Sequence, residues 1–442
     1  MFRSIGSVTV LALLMVGCGG GGGDSGSPPP PPPRYTVGGT VSGLVGSGLT
    51  LEICSGSRQK GSCHSPLQVG ANGAFILDSV YPAGYSGPDY VLITNQPNFP
   101  PQWCVINDAA VRIHASVTVT CATFLYVTNA ADNTLSAYSV DATTGALTVI
   151  DTPIATGASP HTIFGFKNPA SGYVFVGNED SNDVSAFTVN NTTGALTAAP
   201  GSPFAAGTDP QAMALYGSSL YVANAGSDNV SAYTIDPNTG ALTGTSTSAS
   251  GKNPTSIVNS YGYIYVANHG GSNDISAFFT DLTPVSGSPF PAGGNPLSLA
   301  LWGGKFLYTA NPDATNPSIS GFSIDPASGT LTPLSGSPFP LPVSHYITTT
   351  GNYLYVTSGA NVVGYSIDAN TGALTALAGF PVSAGANAYS ITIDPTNQFL
   401  YVTNDGAANV SGFTLNASTG ALTPMAGSPF PAGNHPEFIA TF

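Results

Sequence analysis

Leu125-Tyr126-Val127-Thr128-Asn129 is the first of seven stretches that decide how this sequence folds. Its counterparts are Val174-Phe175-Val176-Gly177-Asn178, Leu220-Tyr221-Val222-Ala223-Asn224, Ile264-Tyr265-Val266-Ala267-Asn268, Leu307-Tyr308-Thr309-Ala310-Asn311, Leu354-Tyr355-Val356-Thr357-Ser358 and Leu400-Tyr401-Val402-Thr403-Asn404. The central aromatics stand 49, 46, 44, 43, 47 and 46 residues apart. Branched and aromatic side chains followed by a turn-forming Asn describe a short strand and its exit. A period of this size accommodates four short strands per unit, so seven units predict an all-β chain whose larger part is a seven-bladed β-propeller.

Each unit continues in the same order. A second strand, as in Val230-Ser231-Ala232-Tyr233-Thr234-Ile235, leads to a turn such as Asn238-Thr239-Gly240 and a short edge strand such as Ala241-Leu242-Thr243. A Gly/Pro loop such as Gly201-Ser202-Pro203-Phe204 follows, and then a strand such as Pro160-His161-Thr162-Ile163-Phe164 that opens the next blade. The fourth unit, around Phe279-Thr280-Asp281-Leu282-Thr283, lacks the turn, which predicts a shorter outer edge. The first unit starts at Phe124 on what is the second strand elsewhere, while Pro436 to Phe442 reads as an innermost strand without a blade. That strand is expected to complete the first blade beside Leu125–Thr128, removing the open edges of the ring.

Residues 35–122 alternate apolar and polar side chains, as in Leu49-Thr50-Leu51-Glu52-Ile53 and Val117-Thr118-Val119-Thr120-Cys121, with a hairpin signal at Asn72-Gly73. About seven short strands predict a small immunoglobulin-like β-sandwich ahead of the propeller. Before it, residues 19–34 hold Gly19–Gly23 and Pro28–Pro33, a tether that is flexible first and semi-rigid later. Residues 1–18 have one basic residue, an apolar run from Ile5 to Val16 and Gly17-Cys18, the order of a secretory signal.

Only 7% of the 442 residues are charged, with 54 Gly and 37 Pro, a composition of turns and strands. The net charge of −14 repels a phosphate backbone and excludes nucleic acid as a partner.

Three resemblances extend this reading. Leu14-Met15-Val16-Gly17-Cys18 resembles a bacterial lipobox, with Met15 where the pattern usually has Leu. The likeness implies lipid on Cys18, membrane contact through that lipid alone, and residence in the cell envelope, at the outer membrane or facing the periplasm. In that oxidising compartment Cys54, Cys63, Cys104 and Cys121 are expected to form disulfides; three pairings are open, and the nearest neighbours, Cys54–Cys63 and Cys104–Cys121, are preferred. The 35–122 segment resembles spacer or adhesion modules of bacterial surface proteins. The repeated Tyr-Val-Thr-Asn, Val-Ser-Ala-Tyr, Thr-Gly-Ala-Leu-Thr and Gly-Ser-Pro-Phe motifs, over about 319 residues (Phe124–Phe442) of the propeller domain (residues 123–442), resemble the seven-bladed lactonase family, whose namesake is a 6-phosphogluconolactonase, and the related "YVTN" repeats. The resemblance implies a lactone (carboxylic ester) hydrolase, and a monomer is expected. Its motifs build blades, however, so a non-enzymatic scaffold for a surface glycan, peptide or protein is the alternative.

The site is sought where the innermost strands begin. Aligned blade by blade, that position holds Glu437, His161, Gln211, Thr255, Leu297, His345 and Tyr389. His435 and Asp209 flank the polar arc, and His269 follows Asn268 on the same face. The catalytic candidates are therefore His161, His345 and Glu437, able to activate water against a ring carbonyl. Gln211, Tyr389, His435, Asp209, Lys252 and His269 are the substrate-binding candidates. No cofactor is required by this chemistry; a divalent cation held by His, Glu and Asp at the mouth is a variant. A sugar phosphate calls for Arg or Lys. After Ala122 there is no Arg, and of Lys167, Lys252 and Lys305 only Lys252 is expected at the mouth, so an unphosphorylated lactone is the expected substrate. The recurrent Asn residues are read as scaffold, since Asn caps turns.

Overall fold

The structure, a computed structural model, describes residues 34–55, 62–80, 89–97, 102–106, 116–167, 172–313, 315–341 and 345–442. The signal, nearly all of the tether and Cys18 lie outside the described residues.

Seven antiparallel sheets form the ring. In the second blade Pro160–Lys167, Gly172–Asn178, Asp183–Val189 and Leu196–Ala198 are paired in chain order, and Phe204–Ala205 pairs back onto Asp183–Val189. The same order recurs in the blades that open at Ser298, Ile347 and Ala388, while in the blade that opens at Pro210 one continuous strand, Leu242–Ala249, takes the place of the last two. The Gly-Ser-Pro-Phe segments thus carry a two-residue strand as well as a loop, as at Phe290–Pro291 and Phe430–Pro431. In the fourth blade the outer strand is missing, and a single bridge between Phe278 and Pro284 stands in its place. Without the Asn-Thr-Gly-Ala turn the chain reverses more tightly, the Phe279 N–H bonding the Thr283 carbonyl at 2.8 Å, and the outer edge is shorter, as expected.

Ring closure is also as expected. Pro436–Thr441 pairs antiparallel with Val117–Asn129, placing Ile439 opposite Val127 and Thr441 opposite Leu125. Backbone bonds of 2.9 and 2.7 Å between Phe124 and Phe442 seal the seam.

Cohesion comes from apolar clusters between neighbouring blades, such as that of Tyr126, Val174, Val176 and Phe187 or that of Tyr308, Leu354 and Val356. Because blades face one another on both sides, the second strand of a blade is buried throughout, as at Gly172–Asn178 and Phe399–Asn404. The central tyrosines add a tether. Their hydroxyls donate to the turn of the next blade: Tyr126 to Gly194, Tyr265 to Gly329, Tyr308 to Gly372, Tyr355 to Gly420 and, across the seam, Tyr401 to Gly145, at 2.7–3.0 Å. Tyr221 bonds Thr280 instead, the turn of the shortened blade.

The small domain is a two-sheet sandwich. Leu49–Ser55 lies between Ser62–Val69 and Asp89–Asn95, while Arg34–Ser42, Gly73–Val80 and Trp103–Ile106 assemble around the first half of Val117–Asn129. One cluster, including Val37, Leu51, Leu77 and Val119, fills the space between the sheets. Both expected disulfides, Cys54–Cys63 and Cys104–Cys121, join paired strands. The 122/123 boundary falls within one strand. Val117–Asn129 pairs with the sandwich up to Ala122 and with the propeller from Thr123, so no linker separates the two units there.

Candidate active site at the channel mouth

Each innermost strand begins beside the end of its partner: Pro160 faces Asn178, Pro210 faces Asn224, Pro254 faces Asn268 and Pro436 faces Asn129. The residues just inside these prolines therefore share one end of the ring. The repeated Asn residues hold the adjoining turns. Asn129 donates to Thr134 and Ser136, Asn224 to Asn229 and Ser231, and Asn404 to Asn409 and Ser411, all at 2.7–3.0 Å. These Asn side chains are fully buried, which makes them scaffold.

At the centre of the arc His161 is buried, and its Nδ1 lies 2.6 Å from Glu437 Oε2 and 4.0 Å from Glu179 Oε2. A carboxylate at hydrogen-bond distance accepts, so Nδ1 carries a proton, and in the neutral ring Nε2 is the lone-pair acceptor. Nε2 is buried with no hydrogen-bond partner, an arrangement that calls for one. The ring is braced by Phe438, 4.6 Å away between centroids, and meets Tyr389 edge-on at 6.3 Å.

Tyr389 stands between His161 and His345, the latter 6.2 Å away between ring centres. The Tyr346 hydroxyl donates to the Tyr389 hydroxyl at 3.4 Å, so the Tyr389 proton is available to another acceptor. Burial raises both phenols above their ordinary range, keeping them neutral donors. His345 is half-buried, with Nδ1 3.4 Å from the Ala388 carbonyl. The structure thus gathers His161, Glu437, Tyr389 and His345 into one group.

The remaining candidates flank it. Gln211 donates to Asp209 at 2.5 Å. Exposed His435 bonds Asp405 at 2.9 Å. Lys252 is exposed and ion-paired with Asp228. His269 sits further round, its Nε2 3.3 Å from Asn295 Nδ2, and burial lowers its pKa so that the neutral ring is favoured. No group of three or more His, Cys, Asp or Glu side chains arranged for a metal occurs among the described residues.

Sequence reasoning missed Glu179, Tyr346 and Phe438. Glu179 occupies the position after the repeated Asn, shared with His269 and Asp405, and that equivalence was the available signal. Its carboxyl is raised above the ordinary range, mainly by burial and also by Asp209, Glu437 and Asp180, with His161 opposing. Tyr346 and Phe438 are ordinary core residues in sequence; only packing brings them against the histidine.

Comparison with known proteins supports this architecture. The family model described as "Lactonase, 7-bladed beta-propeller" matches residues 107–208, 203–259 and 346–437, more than half of the chain. A Pseudomonas aeruginosa periplasmic gluconolactonase is 17% identical, with 72% of this chain and 99% of that one covered at a TM-score of 0.62. A Bacteroides uniformis protein provisionally described as a 6-phosphogluconolactonase is 18% identical, covering 73% and 99% at a TM-score of 0.63. A Lactobacillus plantarum protein gives 18% identity, 73% and 99% coverage and a TM-score of 0.59. These likenesses concern the fold. No curated protein compared with the chain matches it.

Proposed function

The chain belongs to the seven-bladed β-propeller lactonase family, and from that premise we propose that it hydrolyses an unphosphorylated lactone at the channel mouth. The observation that carries the reading is His161, held by Glu437 at 2.6 Å beside Tyr389, with no hydrogen-bond partner at Nε2. Nε2 takes a proton from water as the water oxygen bonds to the ring carbonyl carbon, and the carbonyl electron pair moves onto oxygen. Glu437, with Glu179 behind it, stabilises the imidazolium so formed, and the Tyr389 hydroxyl donates to the oxyanion. Collapse re-forms the carbonyl and breaks the ring C–O bond, and the leaving alkoxide takes the proton back from Nε2. One water is consumed and a hydroxy acid results.

The nearby acids, Glu179, Glu437, Asp209 and Asp405, oppose an anionic substrate, and Lys252 is engaged by Asp228. The family's namesake substrate carries a phosphate and fits this mouth poorly. Export and a lipid on Cys18 belong to the same proposal, supported by the Leu14–Cys18 motif.

A second reading, non-enzymatic binding of a glycan, peptide or protein at the mouth, is favoured by one feature: Nε2 is buried, and binding through the mouth's other polar side chains does not require water to reach it. Hydrolysis of a panel of neutral and phosphorylated lactones, by the wild type and a His161→Ala/His345→Ala variant, separates the two. Turnover of neutral lactones that the variant loses supports catalysis. Turnover no greater than the variant's on every substrate rejects it.

A further inference from the structure

The face opposite the mouth is formed by the hairpins that join each innermost strand to the next. In the third, fourth and fifth blades these lie between Tyr216 and Ser219, Ser260 and Tyr263, and Trp302 and Phe306. The first turn residue is Gly217 (φ 59°), Gly303 (φ 55°) and Gly351 (φ 51°) in the third, fifth and sixth blades; in the fourth it is Tyr261, at φ 51°. A bulky side chain in this left-handed region is disfavoured, and glycine serves the other three blades. Core packing does not explain the tyrosine, which is 59% exposed. A strained, exposed aromatic retained where the fold is content with glycine points to a surface role.

Its neighbours extend the feature. Tyr216 is 45% exposed, and its hydroxyl end lies over Gly262, 3.6 Å from where a Cβ would stand. The Tyr261 ring lies in the same way against Gly304, 3.0 Å from a Cβ position. Trp302 is half-buried, stacks on Phe306 and donates its indole N–H to the Gly351 carbonyl. Three successive blades thus each lean an aromatic ring onto the glycine turn of the next. The row is held rigid by Asn259 donating to the Leu215 carbonyl and by Ser260 donating to Gly304 at 3.3 Å.

Tyr216, Tyr261 and Trp302 carry no charge of their own. The one charged side chain in their hairpins, Lys305, turns its ammonium to the Ala369 and Asn370 carbonyls at 3.0 and 3.2 Å. Neutral ring faces with hydroxyl rims, separated by glycine and with the adjoining lysine drawn aside onto backbone carbonyls, suit an occupant that is itself neutral, with flat C–H faces and hydroxyl edges.

We propose that Tyr216, Tyr261 and Trp302 form an aromatic shelf that binds a neutral polysaccharide by stacking its sugar rings. This is independent of the chemistry at the mouth. The test is electrophoresis of the full chain through gels containing hydroxyethyl cellulose, glucomannan, dextran or pullulan. Tyr261→Gly installs the residue used by the third, fifth and sixth blades, so the fold is retained. Retardation in at least one gel is expected, weakened about tenfold in apparent affinity by Tyr261→Gly, abolished by Tyr216→Ser/Tyr261→Gly and unchanged by His161→Ala. No retardation in any gel overturns the proposal, as does retardation that the double variant keeps or that His161→Ala removes. Sedimentation showing a dimer that the double variant converts to monomer overturns it too, assigning the shelf to a second copy of the chain.

Discussion

Glu437→Gln replaces one carboxylate oxygen by an amide nitrogen and leaves the side-chain volume almost unchanged. The wild-type carboxylate lies 2.6 Å from His161 Nδ1, so it faces an imidazolium each time Nε2 takes up a proton. A unit charge pair about 4 Å apart at an effective dielectric near 20 is worth about 4 kcal/mol. At about 1.36 kcal/mol per factor of ten, losing it lowers kcat/KM by about 10³-fold. Glu179, 4.0 Å from the same nitrogen, retains part of the stabilisation, which moves the expectation to between about 10²- and 10³-fold. Glu179→Gln alone, with Glu437 in place, is expected to cost no more than about tenfold. Stability should change little, because Thr403 bonds the backbone carbonyl of residue 437 at 2.7 Å and is untouched. The assay is kcat/KM on the lactone turned over best by the wild type, with a thermal melt of each variant. Glu437→Gln retaining more than about a third of the activity would refute the reasoning, as would a loss matched by a lowered melting temperature.

Tyr401→Phe removes the donor to Gly145 across the ring seam and leaves a buried carbonyl unpaired, at a cost of about 1–3 kcal/mol in urea unfolding; Phe175 occupies the equivalent position of the second blade, so the ring itself fits, and an unchanged midpoint would deny the tether its role. Lys167 stands over the Phe442 ring at 4.2 Å, and burial pushes its pKa down to about 7. The unfolded chain therefore binds more protons between about pH 7 and 10.5, and stability rises with pH across that window. Lys167→Met is expected to stabilise the protein by roughly 2–4 kcal/mol at pH 6 and by little above pH 10, flattening the pH profile; a parallel shift at all pH values would contradict this. Cys18→Ser should release the chain from the membrane fraction and abolish a lipid-sized mass increment, and membrane retention by the variant would remove the anchor assignment.

The period of the aromatic strands determined the seven blades, the closing strand and the shortened fourth blade, because each depends on local turn chemistry and on a strand needing a partner. The disulfide pairing was legible too, since the preferred partners are the nearest cysteines in the chain. The aligned starts of the innermost strands identified His161, His345, Tyr389 and Glu437 as one arc, because a repeat converts sequence position into angular position. Sequence could not show that His161 and Glu437 meet at 2.6 Å while Lys252 turns to Asp228. Nor could it show Glu179 beside the histidine, or three hairpins leaning on one another across the opposite face. Those relations join blades separated by tens to hundreds of residues, and side-chain direction at such contacts is set by packing between sheets, which no local pattern encodes.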